Sequence, residues 1–350
     1  MPLVTHPVFA SRPSDEFVTQ WARHTSTTGH PETFDNVSTS RPQNIEGLVL
    51  LSGEIEVPVQ KRTDGEDVPC PICSPEKPKF RHGRMAWFPS DQTVQFIGNR
   101  CARRHFGDAF TEAEQRFKMV DRLQRLQRRW GALRGNLDDI HEFVQSALPV
   151  INGIRTLRQR LDENAPKFAS AVYWRLARED GQITDLVVTG AIDQRGNQQA
   201  ARVVLGVVEG YEFFEAGLSS SLETARAVAA IEDLGTDLPA WSAEAADGEA
   251  EREILARGRA ADTALSDIVS MLERAVRCQR ILSQQSMATM VTHHALLGLS
   301  SLEMRIETNQ LIIRAESFEG NHFARELLST SRAQAPTVPN TIWLLARGSA

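Results

Sequence analysis

Residues Met119–Ile154 read MVDRLQRLQRRWGALRGNLDDIHEFVQSALPVINGI, and their apolar positions recur at spacings of four and three. Met119, Leu123, Leu126, Trp130, Leu133, Leu137, Ile140, Val144, Ala147, Ile151 and Ile154 therefore share one stripe of an α-helix, because 3.6 residues per turn bring positions three and four apart to one side. A heptad rhythm sustained over this length is the pattern of a helix packed along a narrow seam. It predicts one long helix from about Thr111 to Asn164. Thr111 followed by Glu114 is a capping-box signature for its start. Pro149 removes a backbone donor and predicts a kink near Gln145. Trp130 is bulky for a two-helix seam, which points to further helices beside it.

A second helical region is predicted from Glu249 to about Glu319. Ala261, Leu265, Ile268, Leu272 and Ala275 continue the three–four rhythm. Two stripes then follow, Leu297, Met304, Leu311, Phe318 and Leu299, Leu302, Ile306, Ile313, which predict a helix buried on two sides. Between the helical regions, Ala171–Ala177 (AVYWRLA), Thr184–Ile192 (TDLVVTGAI) and Ala201–Phe214 (ARVVLGVVEGYEFF) read as strands. They are separated by a turn at Glu179-Asp180-Gly181 and a polar turn over Asp193–Gln199. Ser220 and Ser221 precede a short helix to about Leu234.

The expected organisation has six parts. Residues 1–67 form an arm with a short helix around Asp15–Arg23 and short strands in Gly47–Val59. Residues 68–110 form a zinc-binding module and 111–167 the long helix. Residues 168–217 form a small antiparallel β insert, 218–332 a helical region packing on the first long helix, and 333–350 a docking tail. The tail is expected to dock because Thr341–Ala346 (TIWLLA) is too apolar to hang free. The fold class expected is α+β, mainly α: a zinc module fused to long coiled-coil-like helices with one β insert.

The strongest local chemistry is Cys70-Pro-Ile-Cys73 and, after 27 further residues, Cys101-Ala-Arg-Arg-His105. Two cysteines two apart make a knuckle, and Cys101 and His105 fall on one face of a helix. Three thiolates and an imidazole make a closed tetrahedral set for a structural Zn²⁺, with no open position for catalysis. A β-hairpin fits between the two pairs, with Phe80–Phe88 and Thr93–Ile97 flanking Pro89-Ser90-Asp91. Knuckle, hairpin and ligands in the first helical turn resemble a treble-clef zinc finger over residues 68–110. That resemblance implies a fold and a metal and leaves activity open. His82 is a reserve ligand.

The chain has 350 residues and a net charge of −6. Residues 76–134 hold 14 basic and six acidic side chains, so this segment carries +8 and the remainder −14. Arg103, Arg104, Arg122, Arg125 and Arg129 are the possible anion ligands within it, although internal pairing with the acidic remainder accounts for such a split equally well. The four cysteines are too few for a disulfide scaffold. No secretory leader and no membrane span are read, so the cytoplasm is expected.

No phosphate loop, dinucleotide fingerprint, HExxH or nucleophile elbow is present, the Gly217-Leu-Ser219 run lacking its second glycine. An enzyme is therefore the less favoured reading. Cys278 reads as an inert buried thiol, His294 as a packed histidine, and Gly320 as a helix terminator. The function expected is a zinc-stabilised coiled-coil interaction or scaffold protein that assembles with itself or with protein partners. One alternative is a nucleic-acid-associated factor gripping phosphates through residues 77–134. Another is an enzyme or ligand sensor built on the β insert.

Overall fold

The computed structural model describes residues 8–62, 65–165, 167–192, 198–218, 221–243, 247–317, 320–328 and 331–348. The chain forms two compact units, Met1–Arg125 and Leu126–Ala350, whose boundary falls inside one helix.

The first unit is built on a β-hairpin. Strands β5 (His82–Phe88) and β6 (Thr93–Gly98) pair antiparallel from Gly83↔Gly98 to Phe88↔Thr93. Two short strands, β1 (Val49–Leu50) and β2 (Ile55–Glu56), share the other edge of β5 end to end. A second hairpin, β3 (Val68–Cys70) with β4 (Ser74–Phe80), carries the Cys70–Cys73 knuckle at its tip.

The hairpin is buried on both faces, and its alternation decides what lies on each. Met85, Val94 and Phe96 join Trp21, Val37, Leu51, Val57 and Val68 in one core. Trp21 belongs to helix α1 (Asp15–Thr28), capped by Ser14, whose Oγ accepts from Phe17 N at 3.2 Å. Ala86, Phe88 and Ile97 point the other way, into a core with Cys70, Ile72, Ala102 and Phe110. Ala102 and Phe110 lie on helix α2 (Asn99–Arg134), which follows β6 directly. The knuckle and the first turns of α2 are thus held on one face of one sheet. Phe80, closing β4, lies across the paired glycines: a Cβ at Gly83 would come within 2.6 Å of the Phe80 ring and of Ile97 O, and one at Gly98 within 2.8 Å of that ring.

In the second unit a single core joins α3 (Leu137–Asn164) to α6 (Gly248–Gln279), with α4 (Phe168–Ala177) and α5 (Leu222–Asp233) contributing to it. The expected stripe is buried from Leu126 through Ile154, apart from half-buried Leu137, and continues through Leu157 and Leu161. It packs with Ala261, Ala264, Leu265, Ile268 and Leu272 of α6. At Gly258 helix α6 approaches the end of α2 so closely that a Cβ would lie 3.0 Å from Leu126 Cβ. Helix α7 (Gln284–Thr292) leads into a three-stranded antiparallel sheet of β9 (Leu299–Glu307), β10 (Gln310–Ser317) and β11 (Gly320–Leu327). The tail docks through α8 (Asn340–Ala346), which buries Ile342 and Leu345. The remaining hairpin, β7 (Gln182–Ile192) with β8 (Gln198–Val207), is buried only at its base, through Ile183 and Val208.

The structure corrects the expected fold class, although an α+β, mainly α description still fits. Four small antiparallel sheets replace one β insert, and the long helices belong to a mixed core with sheet and short helices. They do not form a coiled coil. The helix expected over 111–164 already runs from Asn99, has non-helical φ/ψ at Gly107, and is interrupted at Gly135-Asn136 before α3. Pro149 lies inside α3 without ending it.

Residues 299–307, 310–317 and 320–327 form strands, and Leu302, Met304 and Ile306 show the period-two alternation behind the first of them. Their hairpin turn, Thr308-Asn309, has φ of 48° and 61° but lacks the glycine that usually marks such a turn. Gly320 accordingly opens a strand and ends no helix. Ala171–Ala177 lies within a helix because Phe168, Ala169, Val172 and Leu176 are buried together at helical spacing, which overrides the β-propensity of Val, Tyr and Trp. Only β7 and β8 of the three strands expected in the insert are present, and Tyr211–Phe214 is a short 3-10 helix. Residues 1–7, 193–197, Ser219, Ser220, Phe318 and Glu319, which entered the sequence reading, lie outside the described residues.

Gly98→Ala forces Phe80 off the hairpin. It is expected to destabilise the first unit by about 1–3 kcal/mol, the usual cost of overpacking. Urea denaturation followed by tryptophan fluorescence measures the loss.

Candidate metal centre

The knuckle exists because Cys70 is the last residue of β3 and Ser74 the first of β4, so the chain reverses within Pro71-Ile-Cys73. Ile72 and Cys70 are buried against the hairpin, which fixes the turn, while Cys73 is exposed. Cys101 comes from the first turn of α2, which starts where β6 stops. The Sγ atoms of Cys70, Cys73 and Cys101 all lie within 4.8 Å of one another, and those of Cys73 and Cys101 are 3.1 Å apart. Residues up to 31 positions apart in sequence thus put three soft donors around one point, a group that can hold a metal ion.

Partial burial, the hydrogen bond to Cys73 and the charge of Cys70 together push the Cys101 thiol up to about 12, burial contributing most. Three thiolates cannot share this volume without a cation to offset their repulsion, and a divalent ion reverses that preference. The donor set therefore fits a thiolate-bound metal.

His105, one helical turn beyond Cys101, is exposed and does not join the converging group. His82 is also exposed. It lines a hollow of about 490 Å³ with Cys101, Asn99, Arg81 and Asp67 and likewise stands outside the thiol group. Of the cysteines, only Cys278 is remote; burial raises it to about 12, which fits an inert core thiol. His294 is packed between the Val291 and Ser300 carbonyls, as a structural histidine would be.

Helix α2 is tied to the hairpin by a carboxylate that the sequence reading used only as a cap. Glu114 accepts from Arg84 and Arg103, both at 3.1 Å, and Lys118 lies at 3.5 Å. Burial alone would raise Glu114. The hydrogen bond from Arg103, with the charges of Lys118, Arg103 and Arg84, outweighs it and holds the carboxyl below its usual range. The helix therefore starts with Cys101 against the sheet and is pinned again four turns on.

These contacts also absorb much of the basic segment. Arg103 is committed to Glu114, and Arg125 lies 3.9 Å from Asp121. Arg129, expected among the anion ligands, is buried instead. It donates to Asp262 and to the Leu345 carbonyl, joining α2, α6 and the docked tail. Arg104 and Arg122 remain exposed. The five arginines are therefore not brought together as one anion site. The expected β-insert site likewise gains no support from the arm β7–β8, which is a two-stranded ribbon with exposed sides.

In metal-free protein, the raised Cys101 thiol contributes stability that is complete below the ordinary thiol range and is lost as pH rises towards 12. Thermal melts of chelator-treated protein are expected to hold from pH 7 to about pH 9 and to fall from there towards pH 12, and Cys101→Ser is expected to flatten that slope. Glu114→Gln leaves Arg84 buried without its counter-charge and is expected to cost about 3 kcal/mol in chemical denaturation.

Compared with known proteins, the chain matches no protein-family model, no curated protein and no solved structure.

Proposed function

We propose that this chain is a zinc-stabilised interaction protein that assembles with itself or with protein partners. Zinc suits the donor set better than a hard cation, because thiolate sulfur favours soft and borderline ions. Cys70, Cys73 and Cys101 supply three ligands. The fourth ligand in this reading is His105, one helical turn beyond Cys101. A metal held this way staples the knuckle to α2, so its role is structural and it does no chemistry on a substrate.

The observation that carries the interaction role is the arm β7–β8. Leu186, Val187 and Val188 on one strand and Val203, Val204 and Leu205 on the other are 39–65% exposed. A contiguous apolar surface of this kind marks a binding site for another macromolecule. The nucleic-acid reading draws less support, because Arg103 and Arg125 have acidic neighbours and Arg129 is buried. Among the described residues, no helix is long and apolar enough to cross a membrane.

Elemental analysis of protein purified without added metal is expected to give one zinc per chain. Cys101→Ala is expected to abolish it, and His105→Ala to weaken retention against a chelator while leaving the three-thiolate site. Zinc retained in full by Cys101→Ala overturns the centre. For the interaction role, a photo-reactive residue at position 186 is expected to crosslink to a protein chain in cells that make the protein. Adducts to nucleic acid alone, or none, overturn that role.

A further inference from the structure

We infer that the arm β7–β8 pairs with the same arm of a second copy, strand β7 against strand β7 in antiparallel register about Val187. This rests on the reading of the arm as an interaction surface and names its occupant.

Among the described residues β7 and β8 pair only with each other. A two-stranded ribbon by itself is marginal in water, and three or more strands are needed for independent stability. The chain shows how it guards an edge when pairing is to be avoided. Exposed strand β4, Ser74–Phe80, carries Pro75 and Pro78 with Glu76, Lys77 and Lys79 between and beside them. Prolines and lysines are the usual devices against edge pairing. Strand β8 carries Arg202 at its middle, held by Glu179 at 2.8 Å. Strand β7 has neither device: Thr184–Thr189 reads TDLVVT, with no proline and no cation. It is the unguarded edge.

The register follows from charge and shape. With Val187 on the two-fold axis it meets itself, Leu186 meets Val188 of the copy, and Asp185 meets Thr189. No like charges oppose each other, and aliphatic pairs fill the centre, as stabilising cross-strand pairs require. Gly190, with φ of 75°, and the register break beyond Val188 end the regular edge just past the paired stretch. The product is a four-stranded sheet across the two-fold axis, the self-complementary interface that symmetric dimers use. A lipid occupant fits worse, because open strand edges do not enter hydrocarbon.

Sedimentation velocity of the full-length, zinc-loaded protein between 1 and 100 µM tests this. The expected result is a concentration-dependent dimer, weakened at least about tenfold in Val187→Asp, which sets two carboxylates face to face. Val187 is exposed, so the variant keeps its fold, and circular dichroism verifies that. As a second readout, Val187→Cys is expected to form an intermolecular disulfide with diamide well above the wild-type background, while Thr184→Cys, away from the axis, does not. A wild-type monomer at 100 µM overturns the pairing, and so does a dimer that Val187→Asp leaves unchanged without a Val187→Cys disulfide. So does wild-type binding to phosphatidylcholine vesicles that Val187→Asp abolishes. If self-pairing fails while position 186 crosslinks to a different protein, the interaction reading stands and only the occupant named here falls.

Discussion

Burial of both faces of the β5–β6 hairpin is the constraint on which the cluster of three thiols depends. One face is closed by Trp21 and its neighbours and the other by Phe110, Ala102 and the knuckle residues Cys70 and Ile72. A strand pair alternates with period two, so a shift of one residue in register would exchange these two sets. The thiols meet only in the register that puts Ala86, Phe88 and Ile97 under the knuckle. Phe80 over Gly83 and Gly98 fixes that register from one side, and Glu114 bound to Arg84 fixes helix α2 from the other. The sulfur cluster follows from the packing around it.

In the second unit the same role falls to the apolar stripe shared by α3 and α6. The end of α2 lies against α6 as well, closely enough for Gly258 to touch Leu126. The sheet β9–β11 completes the core where an all-helical partner was expected. Arg129 shows how a basic residue in a charged segment becomes structural once a carboxylate and a carbonyl surround it. Glu114 alone engages three cations of the +8 segment, and Arg81, Arg129 and Arg134 of that segment pair with acids outside it.

The arm β7–β8 differs in kind. Trp174, Leu222, Phe323 and Leu344 are exposed on other elements, and here six aliphatic side chains face solvent together on one ribbon. Prolines and lysines guard β4, whereas β7 is aliphatic, and the proposed strand pairing rests on that contrast. The metal centre and the arm belong to different units, so each is tested by its own variants.

The sequence by itself determined what depends on local spacing. The cysteine pairing, the β5–β6 hairpin, helix α1 and the buried stripe through Leu123–Ile154 could be read because each is a short-range pattern with one physical solution. Tertiary structure decided the rest. Ala171–Ala177 became helix because Phe168 and Leu176 are buried on one side, and residues 299–307 and 310–317 became strands because Leu302, Met304 and Ile306, and Leu311, Ile313 and Ala315, recur with period two, a pattern that the heptad-like stripes cut across. Which donors converge was also decided in three dimensions: Cys101 turns towards the knuckle, while His105 on the same helix stays in solvent. Spacing fixes which residues share a face. Only packing fixes what that face meets, and the open edge of β7 is visible only once it is known that, among the described residues, β8 is its one strand neighbour.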